Sequence, residues 1–219
     1  MSTWQQVKHL LLKDMILEWR SKYAINGILL YVVSTIFVCY QAFQSIDPTT
    51  WNVLFWIILL FASINAISKS FVQEGAARQL YYYSMVSAKA VILSKILYNS
   101  LLMILLTALA LVVYTVIFGN PLVDFPLYIV AVFLGSISFA SVFTMVSGIS
   151  AKAGHNMTLM SVLSFPIVIP LLIILIELSN NAINGLPRAD SYPEILVLVA
   201  INIIAVAVSL LLFPYLWRE

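Results

Sequence analysis

Six long runs of apolar residues dominate this sequence, and they leave only one kind of fold open to it. They lie at about Ile25–Phe43, Trp51–Ser68, Ile96–Phe118, Leu127–Ile149, Leu159–Leu178 and Ile195–Leu216. Each is near the 20 or so residues that a helix needs to cross a hydrocarbon layer about 30 Å thick. The runs are continuously apolar, not alternating, which argues against the strands of a membrane barrel. Charge agrees with this reading. Only 9% of the 219 residues are charged, whereas a water-soluble domain carries about 25%. Too few charges remain to form a hydrated shell, so lipid is the solvent for most of the surface.

Turn chemistry falls between the runs. Asp47-Pro48-Thr49 separates the first two, and Gly119-Asn120-Pro121 with Asp124-Phe125-Pro126 separates the third and fourth. Asn180 to Pro193 is a longer polar connection containing Gly185 and Pro187. No repeat, low-complexity tract or linker interrupts the chain, which reads as a single all-α membrane domain over residues 1–219. The N-terminus is charged from Lys8 to Lys22 and no small-residue cleavage site follows, so it reads as mature sequence. With the N-terminus inside, ten of the eleven basic residues fall on the cytoplasmic side: Lys8, Lys13, Arg20, Lys22, Lys69, Arg78, Lys89, Lys95, Lys152 and Arg218. Only Arg188 falls outside, while the acidic residues divide four inside and five outside. Basic residues alone set topology, so both ends are expected in the cytoplasm. Trp51 and Trp217, at span ends, are expected at the membrane–water interface.

Two cytoplasmic segments carry further pattern. Over residues 1–22, Val7, Leu10, Leu11, Met15 and Leu17 form an apolar stripe against Lys8, Lys13, Asp14, Glu18 and Arg20, as suits a helix lying in the interface. The segment 69–95 opens with a short amphipathic stretch from Phe71 to Leu80, carrying Glu74 and Arg78. Tyr81-Tyr82-Tyr83 reads as an interfacial aromatic cluster.

Reactive chemistry is scarce. There is no G-x-x-x-x-G-K-[ST] phosphate loop for ATP. His9 and His155 fall in cytoplasmic segments, away from any buried nucleophile. The spans hold no ionisable group except Glu177, at an outer end, which disfavours an ion-coupled carrier. The single cysteine, Cys39, rules out an internal disulfide and reads as a small packing residue. His155 has no partner ligand in reach and reads as a solvated loop residue before a metal or heme ligand. No catalytic, cofactor-binding or metal site is expected, and net charge +2 without a basic tail gives no sign of nucleic-acid binding.

Inside the spans the sequence offers packing material. Ser136, Ala140, Thr144 and Gly148 recur at four-residue spacing, so small side chains line one helix face and let a neighbour approach. That face serves either internal packing or a subunit interface. Pro166 and Pro170 each remove a backbone donor and crowd the preceding turn. The fifth span is therefore expected to kink or break near Pro166, as a fixed bend or as a hinge or cavity wall. Asn65, Asn99 and Asn202 are expected to hydrogen-bond between helices, at about 0.6 kcal/mol each.

Several stretches resemble a known family. They are Leu12-Lys13-Asp14 through Arg20; Phe71 and Glu74 with Gly75 and Leu80; Ala88 to Lys95; and the proline-paired stretch from Leu163 to Ile173. The order of parts resembles the membrane subunit of a type-2 ABC exporter. It is more closely similar to the heme exporter protein B family (CcmB) of cytochrome c maturation, over essentially the full length. The resemblance implies a non-catalytic permease subunit in the inner membrane. Its implied partners are a cytoplasmic CcmA-like ATPase, a CcmC-like heme-handling protein, a small single-span subunit and a second copy of itself. Heme is then a substrate of the complex, not a cofactor of this chain. Phe71, Gln73, Glu74, Gly75, Arg78 and Leu80 become the residues expected to dock on the ATPase. Two alternatives stay open: a permease of the same class for a lipid or polysaccharide, and a membrane scaffold that transports nothing.

Overall fold

In a computed structural model, residues 2–21, 23–43, 45–68, 86–152 and 157–218 are described. They form helices α1 (Thr3–Ser21), α2 (Tyr23–Phe43), α3 (Pro48–Ile67), α4 (Ala88–Phe118), α5 (Phe125–Lys152), α6 (Met157–Asn184) and α7 (Tyr192–Arg218). A short 3₁₀ turn, Arg188–Ser191, precedes α7, and no strand occurs among the described residues. Six helices, α2 to α7, are long and apolar enough to cross a membrane.

Local chemistry sets the helix ends. Asp47 caps α3 by accepting the Thr50 N–H at 3.0 Å, with Pro48 in the first helical position, where no amide donor is needed. Ser87 caps α4 by accepting the Ala90 N–H. Gly119, at φ +85°, ends α4, and Gly185, at φ +66°, ends α6. The 31 residues of α4 make it about 46 Å long at 1.5 Å per residue, well beyond the hydrocarbon thickness. It therefore begins eight residues before the expected span, and Ala88–Lys95 is its projecting end. α6 likewise runs six residues past Leu178. Asn180 and Asn181 stay helical because each finds a partner: Asn52 Nδ2 donates to Asn180 Oδ1 at 2.9 Å, and Asn181 Nδ2 donates to Ser191 Oγ at 3.2 Å.

α5 is the central helix and packs against α3, α4, α6 and α7. Its small residues permit this. Ser136, Ala140, Thr144 and Gly148 are all buried within the chain. Thr107 Oγ1 and Ser136 Oγ share a hydrogen bond at 2.6 Å, and Asn99 Nδ2 donates to Thr144 Oγ1 at 2.8 Å, so this face meets α4. On the side facing α7, Asn202 Nδ2 donates to Ser138 Oγ at 2.7 Å and Asn202 Oδ1 accepts from Ser141 Oγ at 3.0 Å. Asn99 and Asn202 thus bridge helices. Asn65 does not: it is exposed, and its amide donates to the Phe61 carbonyl one turn back in α3. Its helix rotation points it away from any neighbour, leaving its own backbone as the nearest acceptor. Asn52 makes a further bridge, from α3 to α6, that its sequence surroundings do not mark.

Trp51 stands near the start of α3, at the span end, and its indole turns into the bundle. It is 1% exposed, packed against Phe55, Tyr114 and Tyr128, and its carbonyl accepts the Tyr114 hydroxyl at 3.0 Å. Rings from three helices bury more of the indole than the interface would, and offset aromatic pairs add to that gain. The two prolines of α6 lie within a helix that continues on both sides of them. Both face outward, on the exposed stripe of Val162, Phe165, Ile169 and Ile173, and not into the bundle.

The tightest approach in the core is at Gly135 of α5. A Cβ there would stand 2.6 Å from the Trp56 ring and 3.0 Å from Leu175. Trp56 cannot swing aside, because it is fully buried and its Nε1–H donates to Ser179 Oγ at 2.8 Å. Gly135→Ala is therefore expected to destabilise the bundle by about 1–3 kcal/mol, read as a lower unfolding temperature in detergent. Ala131→Gly, one turn away, serves as the control for altered helix propensity.

Candidate functional site

One end of the bundle gathers the basic residues Lys8, Lys13, Lys89 and Lys95, and here α1 docks on the projecting start of α4. Val7 and Leu10 pack with Ala90, Val91, Ile92 and Ile96 of α4 and Phe213 of α7 in an apolar cluster separate from the main core. Ser87 donates both its N–H and its hydroxyl to Gln6 Oε1, each at 3.1 Å. One turn beyond Leu10 lies a feature that sequence reading missed. Asp14 Oδ2 is 3.1 Å from Lys95 Nζ, with side chains 8% and 7% exposed, and Lys13 Nζ reaches Asp14 Oδ1 at 3.0 Å. Tyr98, a turn further along α4, lies within electrostatic reach of Asp14 and Glu18.

The docking face of α1 thus runs through Gln6, Val7, Leu10, Asp14 and Glu18, at the three- and four-residue steps of one helix face. This corrects the sequence reading on two points. Asp14, expected on the charged face, is buried, because Lys95 supplies a counter-charge that makes burial tolerable. The expected apolar stripe is divided: Val7 and Leu10 face α4, while Met15 and Leu17 point outward with Trp4, Leu12 and Ile16. No single-helix pattern separates a stripe that meets protein from one that meets lipid, since both are apolar. The signal that could have found the pair was a lysine at the mouth of an apolar span, at a depth where an unpaired charge is costly.

The residues expected to dock on an ATPase (Phe71, Gln73, Glu74, Gly75, Arg78 and Leu80) lie outside the described residues, as do Tyr81–Tyr83 and His155. Their chain neighbours are placed: the segment leaves α3 after Ser68 and enters α4 at Val86–Ser87, on the end where α1 docks. Among the described residues no group of three His, Cys, Asp or Glu side chains could hold a metal ion.

The opposite end is clasped. Arg188 Nε and Nη2 donate to the two carboxylate oxygens of Asp124 at 2.7 and 3.0 Å. Asp124 also accepts the Leu127 N–H, capping α5, and its own N–H donates to the Ala182 carbonyl at 2.9 Å. The loop before α5 is thereby fastened to the end of α6 and the start of α7. Gly185 completes the contact: its positive φ suits glycine, and a Cβ would lie 2.8 Å from Val123. The Arg188 guanidinium and the Leu127 amide hold the Asp124 carboxyl below the usual carboxylate range.

The described residues thus show helix-bridging amides, an ionic dock at the basic end and a clasp at the other. The family model described as "CcmB protein" matches residues 5–216. The chain belongs to the CcmB family. Compared with curated proteins one by one, it has no match. As a CcmB protein it is a multi-pass membrane subunit of a heme exporter in cytochrome c maturation, and it works in an ABC transporter complex with other subunits.

The clasp yields a signed pH dependence. Asp124 has its lower value in the folded state, so the clasp's contribution is complete above the ordinary carboxylate range and is lost as pH falls through that lowered value. The unfolding temperature of wild type in detergent is expected to fall as pH drops below about 5. Arg188→Ala is expected to flatten that slope, because it removes the largest cause of the shift. An unchanged slope in Arg188→Ala would mean that the clasp does not form.

Proposed function

We propose that this CcmB chain is the non-catalytic permease subunit of an inner-membrane ABC transporter, with both termini in the cytoplasm. It couples ATP hydrolysis by a partner CcmA-like ATPase to heme export or delivery, or to release of a heme-loaded chaperone on the outer face. The observation that carries this reading is the family match over residues 5–216. Two features support the coupling step. Segment 69–85 joins α3 and α4 at the basic end, which the distribution of lysine and arginine assigns to the cytoplasm. Helices bearing a docked segment pass rigid-body motion straight into the bundle. Glu74 and Arg78 are the charged groups of that segment, with Phe71 and Leu80 as apolar anchors and Gln73 and Gly75 between. Heme ligation belongs to a CcmC-like partner, and a small single-span subunit and a second copy of this chain complete the complex.

A second reading has an observation in its favour. The amides and hydroxyls of Asn99, Thr107, Ser136, Ser138, Thr144 and half-buried Asn202 hydrogen-bond across helices within the bundle. A membrane scaffold that assembles the complex without passing substrate would be built in this way. Pro166 and Pro170, on the exposed face of α6, would serve as a fixed kink or as a hinge in either case.

Co-expression with the neighbouring ATPase and heme-handling subunits, followed by purification in mild detergent, tests the reading. The ATPase is expected to co-purify with wild type, and Glu74→Arg is expected to lower its recovery about fivefold or more by inverting a rim charge. If no ATPase accompanies the wild-type chain, the exporter reading fails and the scaffold stands.

A further inference from the structure

α4 enters the bundle straight from segment 69–85, so any displacement of that segment reaches Ser87 and the first two turns of α4 first. Those turns are not free in lipid: α1 covers them. The apolar contacts of Val7 and Leu10 with Ala90, Val91, Ile92 and Ile96 hold the helices together. Apolar contacts alone resist sliding weakly, because one methyl group replaces another at little cost. The Asp14–Lys95 pair differs. Both charges are more than nine-tenths buried, so a shift of one turn would part Lys95 from the Asp14 carboxylate in a low-dielectric setting, while Lys13, on the same helix as Asp14, would move with it. The pair, with the Gln6–Ser87 hydrogen bonds at the other end of the contact, fixes the axial register of α1 on α4.

α1 has no slack at its far end. It closes at Ser21, and α2 opens at Tyr23 with a single residue between. α2 is also the span least held by the bundle: 11% of it is buried, against 67% of α5. Between α2 and α4 lies a small, wholly apolar groove lined by Ile28, Leu29, Leu102, Leu105, Leu106 and Leu109. Because that lining is apolar, a shift of α2 against α4 there breaks no hydrogen bond.

We propose that the buried Asp14–Lys95 pair is a mechanical joint, a positioning pair that hands displacement of the first turns of α4 to α1 and through it to α2. The inference rests on the permease reading above. Its role is coupling, not assembly: without the joint, ATP hydrolysis continues while α2 no longer follows.

The test uses the whole complex, reconstituted in lipid with its ATPase, and measures ATP hydrolysis together with heme delivered per ATP. In Asp14→Asn and Lys95→Met, the ATPase is expected to remain bound and active while delivery per ATP falls about tenfold or more. The exchanged pair, Asp14→Lys with Lys95→Asp in a Lys13→Gln background that removes the adjacent like charge, is expected to recover most of that loss. A further variant separates a joint from a mere staple. With Cys39→Ser as background, Gln6→Cys and Ser87→Cys are cross-linked, which fastens α1 to α4 covalently. The cross-link is expected to leave wild-type delivery intact and to restore it in Asp14→Asn, including where that variant alone assembles poorly. Unchanged delivery per ATP in both single variants overturns the joint, and so does a cross-link that blocks delivery, since α1 and α4 would then have to part. If wild type binds no ATPase, the permease reading itself fails and the joint fails with it.

Discussion

Hydrocarbon accepts no hydrogen bonds, and that constraint orders everything inside this bundle. Backbone groups meet it by forming helices. Side-chain polar groups meet it by pairing, and the pairs decide which helices are neighbours. α5 is central because its serines and threonines supply acceptors and donors on more than one face: Ser136 and Thr144 toward α4, Ser138 and Ser141 toward Asn202 of α7. The same residues are small, so the bonds form at close backbone approach, where dispersion between helices is also strongest. The polar pairs and the close packing are one arrangement, since a larger side chain at Ser136 would lose the Thr107 bond and push α4 away together.

Much of this fold is legible in the sequence because lipid writes a coarse pattern. The span count, the loop positions and the family follow from run length, turn residues and a few motifs. The orientation of each helix about its own axis does not follow, for a physical reason. A residue facing lipid and one facing the core are both apolar, so the contrast that marks a buried face in water is missing. Hence nothing in the sequence shows that Trp51 turns into an aromatic cluster, Asn65 reads as a bridge but bonds within its own helix, and Asn52 gives no sign of its bridge. Asn99 and Asn202 do bridge as expected, because an amide deep in an apolar run has few other ways to be satisfied.

The basic end is harder still to read. Asp14 and Lys95 are 81 residues apart, and each taken alone has an ordinary explanation as a charge near an interface. Only the fold shows that Asp14 turns inward and that α4 extends far enough to meet it. The residues from Phe71 to Leu80, chosen on resemblance, remain a proposal, whereas the helices that bracket them are in place.

The two ends of the bundle are built differently, and the difference bears on how such a subunit works. At one end the Asp124–Arg188 clasp, the Gly185 contact and the cap on α5 tie three chain segments into one block. At the other, a long helix projects from the bundle and is gripped from the side by α1, whose continuation α2 is loosely seated. Input at the clasped end would be spread over α5, α6 and α7 together and would have to disturb a close-packed core, which deforms little. Input at the projecting end meets a lever of two helical turns, a fixed register and a neighbour free to move. A chain that must convert a push outside the membrane into a rearrangement within it needs a rigid block and a movable part. On the proposal made above, α5 with its partners would be the block, and α1, α2 and the start of α4 the part that moves against it.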